Sequence, residues 1–235
     1  MVVVRRLIAR APGYRLCATA LALGAVAAAL LDGAPAAAQA GPRCSRGYAY
    51  VGVAGWQAVR GVAATLSVTS PPQVGAGHVA AWVGVGRGLG PGGTDAWIQA
   101  GLDAFPDGAS HLYTEFAEPG RAPVYRELAR VRAGESHRVA VVMAAPERWS
   151  VLLDGHRVSG PVHLPGSGHW RPVATAESWT PAPSTCNLLG FRFDHIAAIS
   201  GRPSTWAPLT NVAVLERHDP YVIKRAGASF VASSG

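Results

Sequence analysis

The sequence predicts an all-β fold, a sandwich or barrel of short antiparallel strands, from three observations. Runs of five to eight residues with β-branched and aromatic side chains recur at short spacing, and Gly and Pro punctuate them (28 Gly and 18 Pro in 235 residues). Asp154-Gly155 stands between two such runs, the strongest short signal for a two-residue hairpin. No segment after residue 40 reads as a convincing amphipathic helix. Many short strands with turn signals between them build sandwiches or barrels.

The runs follow in order. Ala63 to Ser70 alternates in part and stops at Pro71-Pro72. His78 to Val85 is a second strand, followed by a glycine-rich stretch from Gly86 to Gly93. Ala96 to Leu102, Ser110 to Phe116, His137 to Met143 and Trp149 to Leu153 continue the pattern, and the hairpin turn leads into His156 to Val158. Pro172 to Ser178, Leu189 to Ile196, Asn211 to Leu215 and a weaker Ser229 to Ala232 complete the set. Tyr125 to Arg132 fits a helix but also alternates as a strand does. Pro42 to Gly47 and Glu216 to Gly227 read as loosely held ends.

The first forty residues read as an export signal. Arg5, Arg6, Arg10 and Arg15 precede an almost unbroken apolar run from Leu16 to Leu31, and Ala38-Gln39-Ala40 offers the small residues of a cleavage site. An uncleaved membrane anchor is the alternative, since the apolar run nearly reaches spanning length. Cleavage after Ala40 leaves residues 41–235 as one domain with a sizeable core. It also leaves 17 Lys and Arg against 13 Asp and Glu, a charge of +4 instead of +7. The arginines are scattered, with no run and no interleaved aromatics, so nucleic acid is not an expected partner. No later segment is long and apolar enough to span a bilayer, and a secreted monomer is expected.

Cys17 leaves with the signal, so Cys44 and Cys186 remain. In an exported chain the pair reads as one disulfide, with two independent thiols as the alternative.

The glycine string Gly84, Gly86, Gly88, Gly90 is not a nucleotide loop, because no helix follows for a phosphate to cap. It reads as a loop between strands. His78, His111, His137, His156, His163, His169, His195 and His218 form neither an H-x-H nor an H-E-x-x-H set, so no metal and no other cofactor is expected. No G-x-S-x-G elbow appears. What remains is acids and amides on strands. Gln99 shares a face with Trp97 and Gly101, Glu115 shares one with Tyr113, and Glu177 lies in a run of small residues where another chain or a ligand can come close. Each also has a bland reading as a polar residue on a solvated sheet face.

At these residues the sequence resembles the eqolisins, the glutamic peptidases of family G1. Trp82-Val83-Gly84-Val85, a glycine loop and Ile98-Gln99-Ala100-Gly101-Leu102-Asp103 follow the order of the family's W-V-G-I and L-Q-T-G-x-D blocks. Tyr113-Thr114-Glu115-Phe116-Ala117-Glu118-Pro119 takes the place of its W-Y-E-W-Y-P strand, and Ala176-Glu177-Ser178-Trp179 that of the strand carrying the catalytic glutamate. The ordered blocks span roughly Gly52 to Val214. Departures are Gly86 and Arg87 where the family has an Asp, Thr114 and Ala117 in place of aromatics, and Ser178 in place of an acid.

The resemblance implies a two-sheet antiparallel β-sandwich, a concanavalin A-like jelly roll. It implies a catalytic dyad in which Glu177 is general base and Gln99 orients the water and stabilises the oxyanion. Trp82 and Glu115 would line the groove. Two further functions stay open on the same fold: a non-catalytic module binding peptide or glycan through Trp82, Trp97, Tyr113 and Trp179, and a glycosidase using Glu115 and Glu177.

Overall fold

The computed structural model describes residues 42–86, 96–166, 170–201, 205–217 and 220–235. These lie within one compact unit, Ala40–Gly235. The export-signal reading of residues 1–40 and the loop reading of the glycine-rich stretch beyond Gly86 fall outside the described residues.

No helix occurs among the described residues. The strands are β1 (Arg43–Cys44), β2 (Gly47–Gly55), β3 (Gly61–Val68), β4 (His78–Gly86), β5 (Trp97–Ala104) and β6 (Ser110–Ala117). Then come β7 (Val124–Val131), β8 (Ser136–Ala145), β9 (Arg148–Leu153), β10 (His156–Arg157), β11 (Val162–His163) and β12 (Arg171–Thr180). The last six are β13 (Ser184–Thr185), β14 (Gly190–Ile199), β15 (Ala207–Pro208), β16 (Val212–Arg217), β17 (Tyr221–Ala226) and β18 (Ser229–Ser234).

All pairings are antiparallel. One sheet runs β16-β2-β12-β4-β5-β6-β7. The other runs β10-β9-β8-β3-β14-β18-β17, with β11 on β9 and β15 on β14. The two meet face to face where β4 and β5 pack on β3 and β8, the sandwich the sequence predicts.

Alternation decides which side chains enter the core. From the first sheet Val79, Ala81, Val83 and Val85 of β4 point inward beside Ile98, Ala100, Leu102 and Ala104 of β5. From the second come Val62, Ala64 and Leu66 of β3 and Phe191 and Phe193 of β14. Phe193 stacks on its cross-strand partner Phe230 at 4.2 Å, and Trp149 meets Trp170 edge-on at 5.1 Å. The inward side chains of β4 and β5 are all aliphatic, and the second sheet adds the large aromatic ones, Phe191, Phe193 and Phe230, to its own aliphatic set.

Several local expectations have definite outcomes. Asp154 and Gly155 both take positive φ (49° and 84°), and Leu153 pairs with His156 across them, the two-residue turn the sequence predicts. Tyr125 to Arg132 resolves as an edge strand, β7. The two ends expected to be loose are not: Arg43–Cys44 pairs with Ser184–Thr185, and Tyr221–Ala226 pairs along the whole of β18. Cys44 and Cys186 form a disulfide with Cα atoms 4.9 Å apart. It joins chain segments 142 residues apart and ties β1 to the segment that follows β13.

Candidate functional site

The site follows from the same alternation read on the other face. If Val79, Ala81 and Val83 fill the core, then His78, Ala80, Trp82 and Gly84 must point away from the second sheet. Register extends this face across its neighbours. Glu177 on β12 lies opposite Ala80, Trp179 opposite His78, and Gln99 on β5 opposite Gly84. Glu115 on β6 pairs with Gln99, and Tyr113 with Gly101. Gln99, Glu115, Glu177, Trp82, Trp97, Tyr113 and Trp179 therefore share one face of one sheet.

Two glycines keep that face open. A Cβ on Gly84 would come within 2.9 Å of the Gln99 Cβ, and one on Gly101 within 2.7 Å of the Trp82 Cα. Larger residues there would push β4 and β5 apart beneath the two side chains.

Glu177 is 6 % exposed, and both of its oxygens are engaged. The indole Nε1 of Trp82 donates to Oε2 at 3.0 Å, and Nε2 of His78 lies 3.0 Å from Oε1. The imidazole of His78 is stacked on Trp179, with centroids 5.7 Å apart, and also meets Phe105 and Tyr48. Gln99, 9 % exposed, donates its amide to Glu115 Oε2 at 3.0 Å and to the Tyr113 hydroxyl at 3.2 Å. No hydrogen bond joins Gln99 to Glu177 among the described residues. Trp97 stands on the same face at the end of β5, opposite Gly86 and Ala117.

Burial pushes the Glu115 carboxyl up to about 7, helped by the charge of Glu177 and opposed by His78 and Gln99. Tyr113 is raised well above its ordinary value by complete burial and then by Glu177 and Glu115. Tyr48 is raised by burial and by Glu177. The face therefore combines a carboxylate held by two nitrogen groups with a second carboxyl that carries a proton near neutrality. Such a pair supplies an acceptor and a donor for proton transfer.

Beyond these lies a cluster that the sequence reading missed. Asp103 accepts from the Tyr125 hydroxyl at 2.8 Å, and its Oδ1 lies 3.5 Å from Nδ1 of His111, its cross-strand partner. Nε2 of His111 lies 3.9 Å from Glu127. Burial raises Asp103 to about 6. His78 was missed as well. The signal for both was present: His78 and Trp82 share parity on β4, as do Gln99 and Asp103 on β5. Among the described residues no group of three or more His, Cys, Asp or Glu is placed to hold a metal ion.

An antiparallel jelly-roll sandwich with a polar, aromatic-walled face defines the class. Comparison with solved structures finds particular proteins of similar fold. The chain is similar to a scytalido-glutamic peptidase solved with a peptide-based transition state analog, at a TM-score of 0.57 and 18% identity over 81% of this chain and 98% of that one. A second structure of that peptidase, with a transition state analog inhibitor, gives a TM-score of 0.59 at 16% identity over 82% and 100% of the two chains. SCP-B, an eqolisin in complex with the tripeptide Ala-Ile-His, gives 0.55 at 16% identity over 81% and 98%. At these identities the likeness is one of fold. No family model and no curated protein matches the sequence.

Proposed function

We propose that this chain is a secreted endopeptidase that hydrolyses peptide bonds with Glu177, Gln99 and one activated water. Glu177 takes a proton from the water as its oxygen bonds to the substrate carbonyl carbon, and the Gln99 amide donates to the oxyanion that forms. When the C–N bond breaks, the proton on Glu177 leaves with the amine. The observation that carries this reading is the common face of Glu177 and Gln99 on a fold shared with peptidases. Glu115 holds the Gln99 amide at 3.0 Å, which orients it in the free protein; substrate would have to draw that amide toward the oxyanion. Trp82, Trp97, Tyr113 and Trp179 would line the groove for an extended polypeptide. The chain would work as a monomer without metal or cofactor, after export and loss of residues 1–40.

One observation favours a second reading. The Gln99 amide is already committed to Glu115 and Tyr113, and Trp82 donates to Glu177 while Tyr48, His78 and Trp179 pack together on the same face. A face that only binds peptide or glycan needs no free amide.

The test is digestion of an unstructured protein from about pH 2 to pH 8 by chain recovered from the medium, whose N-terminus should read Gly41. Glu177→Gln should lower kcat/KM by about 10²–10⁴-fold and Gln99→Ala by about 10²–10³-fold. Cleavage untouched by both substitutions would remove the dyad. Absence of cleavage, with peptide or glycan retained on the protein, would establish the binding module instead.

A further inference from the structure

We propose that His78 is a positioning residue for Glu177, a donor that fixes the carboxylate against Trp82 in the one rotamer that faces substrate. The inference rests on the peptidase reading and adds a third residue to it.

The imidazole is built into place from both directions. Its backbone follows Gly77, whose φ of +79° and contact with the Trp179 carbonyl carbon (2.9 Å from an added Cβ) admit no side chain. Buried Asn187 pins the same turn, accepting from Gly75 N at 3.0 Å and donating to Ala76 O at 3.0 Å and His78 O at 3.5 Å. Its ring is fixed by Trp179, with planes 28° apart, and by Phe105 at 5.9 Å. A ring held this firmly loses little freedom when it donates to Glu177 Oε1 at 3.0 Å.

The placement also fits an active position. The His78 side chain is 24 % exposed and the Glu177 side chain 8 %, so the pair spans from the floor of the face to water. The titratable groups that face the ring are Glu177 on β12 and Tyr48 on β2. Asp103 on β5 and Glu115 on β6 feel its charge. With Trp82 on Oε2 and His78 on Oε1, rotation of the carboxylate breaks one bond or both. In the reaction the water proton passes to Glu177 and on to the amine.

Two substitutions separate donation from packing. His78→Phe keeps the ring on Trp179 and removes the donor; His78→Gln removes the ring and keeps an amide donor at similar reach. A charge-assisted bond of this kind predicts a kcat about 10–100-fold lower for His78→Phe with KM within about twofold, and partial recovery in His78→Gln. Wild-type kcat in His78→Phe would overturn the proposal, because packing alone would then suffice. If the wild-type chain cleaves no peptide, the peptidase reading falls on its own. A crystal structure of His78→Phe then decides the pairing: a Glu177 carboxylate that has rotated away supports the positioning role, and an unmoved one overturns it.

Discussion

Two carboxylates on the same sheet face, Glu177 on β12 and Asp103 on β5, are both nearly buried and are treated oppositely. Glu177 has a nitrogen group at each oxygen, His78 at 3.0 Å and Trp82 at 3.0 Å. Asp103 has the Tyr125 hydroxyl on Oδ2, while Oδ1 and the neighbouring Nδ1 of His111 are buried without a hydrogen-bond partner. Burial then raises Asp103 to about 6, with Tyr125, His111 and His78 opposing. The two acids differ in their donors and little in depth: Glu177 has a nitrogen group at each oxygen, and Asp103 has one oxygen without a hydrogen bond. A buried carboxyl left short of donors, as Asp103 is, takes up a proton near neutrality.

Glu177 and Asp103 lie in one row of the sheet, each opposite Ala80, but the loops beside them are fastened differently, and the largest expected effect tests that. The loop leading into β4 has a covalent anchor: the disulfide partner Cys186 precedes Asn187, which pins the turn carrying His78. The turn at 105–108 that follows β5 is held by a single backbone hydrogen bond, Gly108 N to Phe105 O, and an Asp107 side chain, with Phe105 against the His78 ring. Replacing both Cys44 and Cys186 by Ser opens a loop of 142 residues, which costs about 4–5 kcal/mol in the chain-entropy model. Urea unfolding measures the loss. Amide exchange should rise first at residues 75–78 and last at 105–108; equal acceleration at both would erase the distinction between the two loops.

How much of this was legible follows from the same alternation. The β4, β5, β6 and β12 strands were readable because apolar residues recur at every second position, and that pattern put Gln99, Glu115 and Glu177 on strands. The β2 strand was missed because Gly47, Gly52 and Gly55 dilute its β character. Yet Gly52 is needed, since a Cβ there would meet the Thr175 side chain at 2.6 Å on the adjacent β12. The β17 strand was missed because Lys224 and Arg225 read as a solvated end, although each has a partner on β18. The links His78–Glu177 and Asp103–His111 join residues 99 and 8 positions apart. They depend on which strands are neighbours and in what register, which a single sequence does not state.

The next effect in size concerns Asp103 and has a definite sign. Its acid form is favoured in the folded chain, about 6 against an ordinary 3.8. Its contribution is therefore fully present below about pH 4 and is lost as pH rises through 6, by at most about 3 kcal/mol. Glu115, raised to about 7 from 4.5 by burial first and Glu177 second, adds a slope of the same sign. Urea midpoints should thus fall from about pH 4 to pH 8 in the wild-type chain. Asp103→Asn should keep only the part due to Glu115. An unchanged slope in that variant would mean that Asp103 is ionised like any surface acid.

The smallest expected effect compares one donor at each carboxylate. Trp82→Phe removes the Nε1 donor from Glu177 Oε2, at a side chain that is 8 % exposed, so water cannot easily replace it. Tyr125→Phe removes the hydroxyl from Asp103 Oδ2, at a side chain that is 3 % exposed, so water is kept from that position too. Loss of a hydrogen bond to a buried charged group costs about 1–3 kcal/mol. The two substitutions should therefore destabilise the chain by similar amounts at pH 7, read from urea midpoints with unchanged slope. Lowering the pH to about 5 protonates Asp103 further and shrinks the Tyr125→Phe penalty, because a neutral carboxyl needs the hydroxyl donor less. Equal penalties at both pH values would show that the two carboxylates are held alike and that the donor count does not separate them.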